Sequence, residues 1–266
     1  MPRIIRIDDA ADPRLAPYEN IRERDLVGRR ERFIAEGKVV LGILARSSRF
    51  SAESVLLLES RLAGAEGILA LLPPDAPVYV VPPAVMDRVA GFSVHRGVLA
   101  VGRKPPPGDA KSLLEDLPAR ALVLALVGIS NHDNMGALFR NAAAFGVSAV
   151  LTDSTSCDPL YRKAIRVGVG AALKIPFAAL PSPEALLSAL DMQGFEHLAL
   201  SPGGAADIRT LSRPPRLALW LGAEGPGLPE SLLRRLPTAR IPLAEGWDSL
   251  NVATAAAVAL HRFSEV

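Results

Sequence analysis

Three short stretches hold residues whose types and spacing could do chemistry. The first is Asn134-Met135-Gly136, followed three residues later by Arg140-Asn141-Ala142. On a helix Arg140 would lie about one and two-thirds turns beyond Asn134, among Gly, Ala, Leu and Phe. An arginine there needs a partner, because burying an unpaired guanidinium is costly. That partner is either a carboxylate in a structural ion pair or a phosphate or sugar oxygen of a ligand, whose geometry suits the planar fork.

The second stretch is Leu219-Trp220-Leu221-Gly222-Ala223-Glu224-Gly225-Pro226-Gly227-Leu228. Glycines directly after a buried strand let the backbone approach a ligand closely or take positive φ. A tight turn would explain the glycines alone, but Glu224 is unusual in a plain turn. Its carboxylate can accept hydrogen bonds from backbone amides or from Arg140. The third stretch is Ile241-Pro242-Leu243, then after five residues Ser249-Leu250-Asn251-Val252. Here Asp248 or Ser249 would cap a following helix. Asn251 would then fall in the first turn, where its helix propensity is neutral at best.

Other chemistries lack their residues. No G-x-G-x-x-G or G-x-x-x-x-G-K-[ST] occurs, so the usual dinucleotide and P-loop signatures are missing. There is no G-x-S-x-G nucleophile elbow. His95, His132, His197 and His261 are scattered without metal-ligand spacing, and Cys157 is the sole cysteine; no metal is expected and most of these histidines read as surface or loop residues. A single cysteine also rules out an intrachain disulfide, as in a reducing compartment. The first residues carry no signal-peptide core, and no uncharged apolar run reaches the roughly 18–20 residues that span a bilayer. The expectation is a cytoplasmic protein without a membrane partner.

A net charge of +2 leaves nucleic-acid binding to local clusters of basic residues. One such cluster is Arg22, Arg24, Arg29, Arg30, Arg32, Lys38, Arg46 and Arg49, interspersed with Glu19, Glu23, Asp25, Glu31 and Glu36. It reads either as a solvated helix face with pairs such as Asp25–Arg29 or as a surface that tracks phosphates.

The elements that must position these residues follow from periodicity. Gly102 to Asp109 contains three consecutive prolines, which favour an extended spacer, and separates residues 1–104 from 111–266 with a linker at 105–110. Before it, Arg29–Leu44 reads as an amphipathic helix, with strands at Ser54–Leu58, Val78–Val81 and Gly97–Val101 and a short helix at Ala84–Ala90. After it, Ala121–Val127 is a continuous apolar run, as in a strand buried on both faces. Helix Met135–Phe145, strand Ser148–Thr152, a helical Pro159–Leu173, strand Pro176–Leu180, helix Pro183–Met192 and strand His197–Leu200 follow. The series closes with strand Leu217–Leu221, helix Pro229–Leu236, strand Ala239–Leu243 and helix Val252–Phe263. Such alternation predicts an α/β fold with a mostly parallel sheet, whose ligands gather at the carboxyl ends of strands.

The three stretches, in this order, resemble the motifs of the SpoU class of RNA ribose 2'-O-methyltransferases, also called the TrmH family, within the SPOUT superfamily. Asp158 to Phe177 is similar to the family's linker between its first two motifs, and Val78 to Val101 to the end of its N-terminal domain. The resemblance implies a C-terminal trefoil-knotted parallel-sheet domain and a smaller N-terminal α/β domain that recognises RNA. It implies S-adenosyl-L-methionine as methyl donor, structured RNA (ribosomal favoured over transfer RNA) as substrate, and a homodimer with the active site near the subunit interface. Carried over by motif, Asn134, Arg140, Glu224, Ser249 and Asn251 fall on functional positions. Gly222, Ile241 and Leu250 match positions whose backbone holds the adenosine moiety. Two residues depart from the family pattern: Ala253 replaces a small hydroxyl residue, and Asn141 a frequent threonine. The family's arginine is usually assigned as the base, yet a guanidinium is a poor proton acceptor near neutrality. Arg140 is therefore expected to grip a phosphate and stabilise a developing alkoxide, oriented by Ser249 and Asn251. Two other functions fit the residues less well: a non-catalytic RNA-binding or assembly protein on the same fold, and a small-molecule enzyme using another nucleotide.

Overall fold

Gly37 divides the first apolar stretch in two. Its φ of 99° is a conformation that L side chains rarely adopt. It separates a strand, Arg32–Glu36, from a helix, Lys38–Ala45. The single helix expected from Arg29 to Leu44 is thus corrected: five of its residues pair with a neighbouring strand instead. The computed structural model describes residues 2–19, 31–92, 94, 96–105 and 109–265. Arg22, Arg24, Arg29 and Arg30 of the basic cluster, His95, and most of the triple-proline segment lie outside the described residues.

The chain forms two units: Met1–Pro106 with Leu160–Lys174, and Pro107–Pro159 with Ile175–Val266. Among the described residues, the first unit holds β1 (Ile4–Arg6), β2 (Arg32–Glu36), β3 (Ser51–Leu58), β4 (Val78–Val81) and β5 (Val98–Arg103), with helices α1 (Lys38–Ala45), α2 (Glu66–Leu69) and α3 (Pro83–Ala90). The sheet order is β1-β4-β3-β5-β2. β4 runs parallel to β1 and β3, while β5 is antiparallel to β3 and β2. Leu56, Leu99, Val101 and Met86 fill one side of the sheet, and the buried Tyr18 and Ser54 hydroxyls bond each other at 2.7 Å.

The second unit carries α4 (Ala110–Glu115), β6 (Ala121–Leu126), α5 (His132–Ala144) and β7 (Ala149–Asp153). The intervening segment with α6 (Arg162–Val167) belongs to the first unit, although the sequence placed it within 111–266. There Arg162 pairs with Glu36 and lies 4.8 Å from the Phe92 ring centroid. The helix expected over Pro159–Leu173 is broken at Val169 and Gly170, both at positive φ, leaving only α6 and a 3-10 turn at Ala171–Leu173. The second unit resumes with β8 (Phe177–Leu180), α7 (Pro183–Met192), β9 (Glu196–Leu200), β10 (Ala206–Asp207), β11 (Arg216–Leu221), α8 (Glu230–Leu233), β12 (Thr238–Arg240) and α9 (Val252–Phe263).

Its seven strands order as β10-β12-β9-β11-β6-β7-β8, and every neighbouring pair is parallel. All six residues of β6 are buried, as a strand covered on both faces requires. Trp220 is fully buried, and its indole N–H donates to His197 Nδ1 at 3.0 Å. His197 Nε2 faces Asp191 Oδ1 at 2.9 Å, so this histidine is a bridging group of the sheet and not a surface residue. Because the strands share one direction, the loops after β6, β9, β11 and β12 gather at one edge.

Candidate functional site

The loop after β11 is shaped by a backbone crossing. A Cβ on Gly222 would stand 2.1 Å from the Gly227 carbonyl carbon and 2.2 Å from Leu228 N, so no side chain fits. Gly227 N donates to Ala223 O at 3.0 Å to close the loop. Gly225 and Gly227 hold φ of 85° and 69°, the left-handed region glycine reaches without strain. This turn lifts Glu224 to the rim of a cleft of about 700 Å³.

The same cleft is lined by the stretch from Ile241 to Val252, including Ser249, Leu250 and Asn251. The capping expectation is corrected here. Neither Asp248 nor Ser249 caps α9; Asn251 does, its Oδ1 accepting from Ala253 N at 2.9 Å and Thr254 N at 3.3 Å. Its Nδ2 is thereby turned outward. It donates to Asn134 Oδ1 at 3.0 Å and to Glu224 Oε1 at 2.5 Å. One amide therefore joins all three sequence motifs. Ser249 is exposed at the rim, and its hydroxyl has no protein partner among the described residues.

Asn134 reaches this junction from α5. That helix is capped by Asn131, whose Oδ1 accepts from Asp133 N and Asn134 N; Ser130, Asp133 and Asn134 are not its caps. The loop before α5 is pinned by Asp153 at the end of β7, which accepts from Gly128 N at 2.9 Å and Ser156 Oγ at 2.6 Å and also from Thr155 Oγ1. Burial alone would raise the Asp153 carboxyl, but these bonds outweigh it and hold the group below the ordinary carboxylate range. Ser156 Oγ in turn accepts from Ile129 N at 3.0 Å. Cys157, next in line, has its thiol pushed up to about 11 by burial and by the charge of Asp158.

Arg140 is not brought to the cleft of its own chain. It is exposed, and among the described residues no ion pair or hydrogen bond holds it. The apolar surroundings inferred from sequence lie on the other faces of α5. Six residues of helix carry it about 9 Å along and about 240° around from Asn134. The carboxylate of Glu224 accepts from Asn251, not from Arg140. The two departures from the family pattern meet each other: Asn141 Nδ2 donates to the Ala253 carbonyl at 2.7 Å, tying α5 to α9.

Sequence reasoning missed Leu200 at the end of β9 and Ser201 and Pro202 just after it, which line the cleft, and Trp247, which lines it while 75% exposed. The signal available for the first three was their place at the carboxyl end of a parallel strand. Gly204 marks the same loop, since a Cβ there would stand 2.2 Å from the Ala239 carbonyl carbon. Among the described residues no group of three or more His, Cys, Asp or Glu side chains is placed to hold a metal, and no helix is long and apolar enough to cross a membrane.

Residues 121–261, which contain every group of this junction, match the model of the SpoU rRNA Methylase family. The chain belongs to that family. An uncharacterized tRNA/rRNA methyltransferase of Mycobacterium tuberculosis is 40% identical over 264 residues, spanning 95% of this chain and 89% of that protein. The 23S rRNA (guanosine-2'-O-)-methyltransferase RlmB of Xanthomonas campestris is 32% identical over 66% of this chain and 72% of its own. A crystal structure described as an RNA 2'-O ribose methyltransferase superposes with a TM-score of 0.79 at 27% identity, over 97% of both chains. An AdoMet-bound rRNA methyltransferase of Sinorhizobium meliloti shares the fold at a TM-score of 0.82, with 21% identity and 97% of each chain covered. The likeness in fold to these two structures covers residues of both units.

Proposed function

We propose that this SpoU-family RNA methyltransferase transfers a methyl group to a ribose 2'-hydroxyl of structured RNA, ribosomal in preference to transfer RNA. S-adenosylmethionine is the methyl donor. The observation that carries the reading is the side-chain amide of Asn251 joining Asn134 and Glu224 at the rim of the cleft.

The cleft suits the donor on its own terms. About 700 Å³ is within the usual range for a nucleoside-sized ligand. Gly222, where a Cβ would collide with backbone, leaves main chain exposed on one wall. Gly222, Ile241 and Leu250 would hold the adenosine moiety through their backbone, with Leu221 and Leu243 as apolar lining. When bound, S-adenosylmethionine supplies a methyl group already activated on a sulfonium.

The chain's own work is to place the ribose and manage its proton. Asn251 is fixed by capping α9, so its Nδ2 and the oxygens of Asn134 and Glu224 form a rigid polar edge. Such pre-positioning removes much of the entropic barrier to an in-line reaction. Ser249 offers a free hydroxyl to a ribose or phosphate oxygen. Arg140 grips the adjacent phosphate in its planar fork and stabilises charge on the ribose oxygen as its proton passes to water.

Arg140 faces away from the cleft of its own chain, and this supports a homodimer in which a second copy completes the site. The run from 241 to 251 passes the Gly222–Gly227 loop before α9 docks on α5, the course a trefoil knot would take. Residues 1–104 are the RNA-recognition domain and 111–266 the catalytic domain in this reading, with the α6 segment lent to the former.

Transfer of labelled methyl from S-adenosylmethionine to total RNA tests the proposal, using RNA from cells lacking the protein. Label should enter one RNA size class as 2'-O-methyl nucleoside and be lost with Arg140→Ala. Donor binding without transfer would favour a non-catalytic RNA-binding role.

A further inference from the structure

The two tryptophans of this chain are placed in opposite ways. Trp220 is fully buried and donates to His197. Trp247 is 75% exposed at the rim of the cleft, and among the described residues its side chain has no hydrogen bond and no ring or cation partner. A large apolar face is thus left in water, against what folding favours.

The local chain holds the ring there. Trp247 N donates to Ala244 O at 3.3 Å, closing a turn in which Gly246 takes φ 84°, the left-handed region. Ser249, Leu250 and Asn251 follow closely, and Asn251 is fixed by capping α9. The ring therefore sits four residues from the amide that joins Asn134 and Glu224. Charge at this rim selects what can lie on it. Glu245 and Asp248 are exposed on either side of Trp247, and Glu224 lines the same cleft. Arg240, the one basic residue among the described residues lining the cleft, is engaged by the carbonyls of Gly204 and Ala205 at 2.9 and 2.8 Å. Three carboxylates repel a phosphate, while the uncharged face of a nucleobase meets no such penalty. Trp247 is also the sole aromatic among the described residues lining the cleft.

We infer that the indole of Trp247 stacks on the base of the nucleotide whose ribose is methylated, anchoring it beside the Asn134–Asn251–Glu224 edge. The inference rests on the RNA-modifying reading above and adds which side chain takes the target base. A base lying on the indole has left the stack of its neighbours, so the target is an unpaired nucleotide of a loop, bulge or end. Every base has a π face, so the ring gives affinity with little choice among bases.

The test uses the whole chain, RNA from cells lacking the protein, and the variants Trp247→Ala and Trp247→Phe at this exposed position. Acrylamide quenching of tryptophan fluorescence reads Trp247 alone, because Trp220 is buried. Trp247 should be accessible in the free protein and with S-adenosylmethionine, and shielded once RNA is added. In methyl transfer Trp247→Ala should raise KM for RNA about tenfold, within the roughly 5- to 150-fold span of base–aromatic stacking. The stack is equal in ground and transition states, so kcat should be kept. Trp247→Phe should recover most of the loss, and donor affinity by calorimetry should not move in either variant. The 2'-O-methyl nucleotide, mapped by primer extension, should be unpaired. A wild-type KM in Trp247→Ala with transfer intact would overturn the inference and leave the methyl-transfer reading standing, as would a methylated nucleotide inside a continuous helix. A Trp247 that stays accessible with RNA would also overturn it. Shielding without RNA would put the ring under a second copy, and shielding by S-adenosylmethionine with weaker donor binding in Trp247→Ala would put it on the donor's adenine; either result overturns the inference. RNA-dependent shielding with no methyl transfer would uphold the stack and sink the catalytic reading instead.

Discussion

The Nδ2 of Asn251 donates to Asn134 Oδ1 at 3.0 Å, joining residues 117 positions apart. Asn251 also caps α9 with its other side-chain atom. The residue thus couples the stability of a helix to the geometry of the site.

That coupling can be split by substitution. Asn251→Ala removes the cap and both cross-bonds, and should lower unfolding free energy by about 1–2 kcal/mol, the range for a lost N-cap. Asn251→Asp keeps the capping oxygen but sets a carboxylate against Glu224 and the Asn134 carbonyl. Both variants should lose methyl transfer by at least about a hundredfold, whereas only the alanine variant should lose the cap. Denaturant unfolding beside single-turnover methyl transfer checks this; an active Asn251→Asp enzyme would refute it.

Gly222→Ala should disrupt the cleft beside Glu224. Its new methyl would meet main chain at 2.1 Å, and overpacking against backbone costs typically about 1–3 kcal/mol. Calorimetry should show weakened S-adenosylmethionine binding, while Gly194→Ala, at positive φ with open space around it, should leave donor binding intact.

Arg140 and Asn251 should complement each other between copies. Mixing Arg140→Ala with Asn251→Ala subunits should restore about one quarter of wild-type activity, since half the dimers are mixed and each has one intact site. No activity above that of either variant alone would place both groups in one chain's site or exclude the dimer.

Asp153→Asn should destabilise the protein by about 1–3 kcal/mol at neutral pH, the scale for bonds to a charged acceptor. The sign follows from the depressed folded-state value. Stability from this carboxylate is fully present above its unfolded pKa near 4 and is lost as pH falls through the lower folded one. The gap between variant and wild type should hold from neutrality to about pH 5 and close at more acid pH. Urea melts across that range measure it, and a gap that widens in acid would contradict the assignment.

Much of the second unit was legible because its signals are local. Ala121–Val127 reads as a doubly covered strand from composition alone, and α7 and α9 end where their apolar spacing does. The first unit was harder. Phe33, Val40 and Leu44 keep a helical rhythm across Gly37, and only its positive φ reveals that a strand precedes it. Between Pro159 and Leu173 the rhythm likewise runs across the break at Val169 and Gly170. The motif residues were legible as types, yet their roles were not. Asp248, Ser249 and Asn251 are all competent caps, and what selects Asn251 is a pair of oxygens distant in sequence. Arg140 looked buried because its neighbours are apolar, but they occupy other faces of α5.

The bonds that assemble the cleft span 117 residues between Asn134 and Asn251 and 112 between Asn141 and Ala253. Closing loops of that size costs entropy before any contact repays it, so such topologies fold slowly. The cleft and α9 should therefore form together, late in folding. Activity should therefore lag behind secondary structure during refolding, and S-adenosylmethionine should act as a kinetic trap for the finished state, slowing unfolding more than it speeds folding.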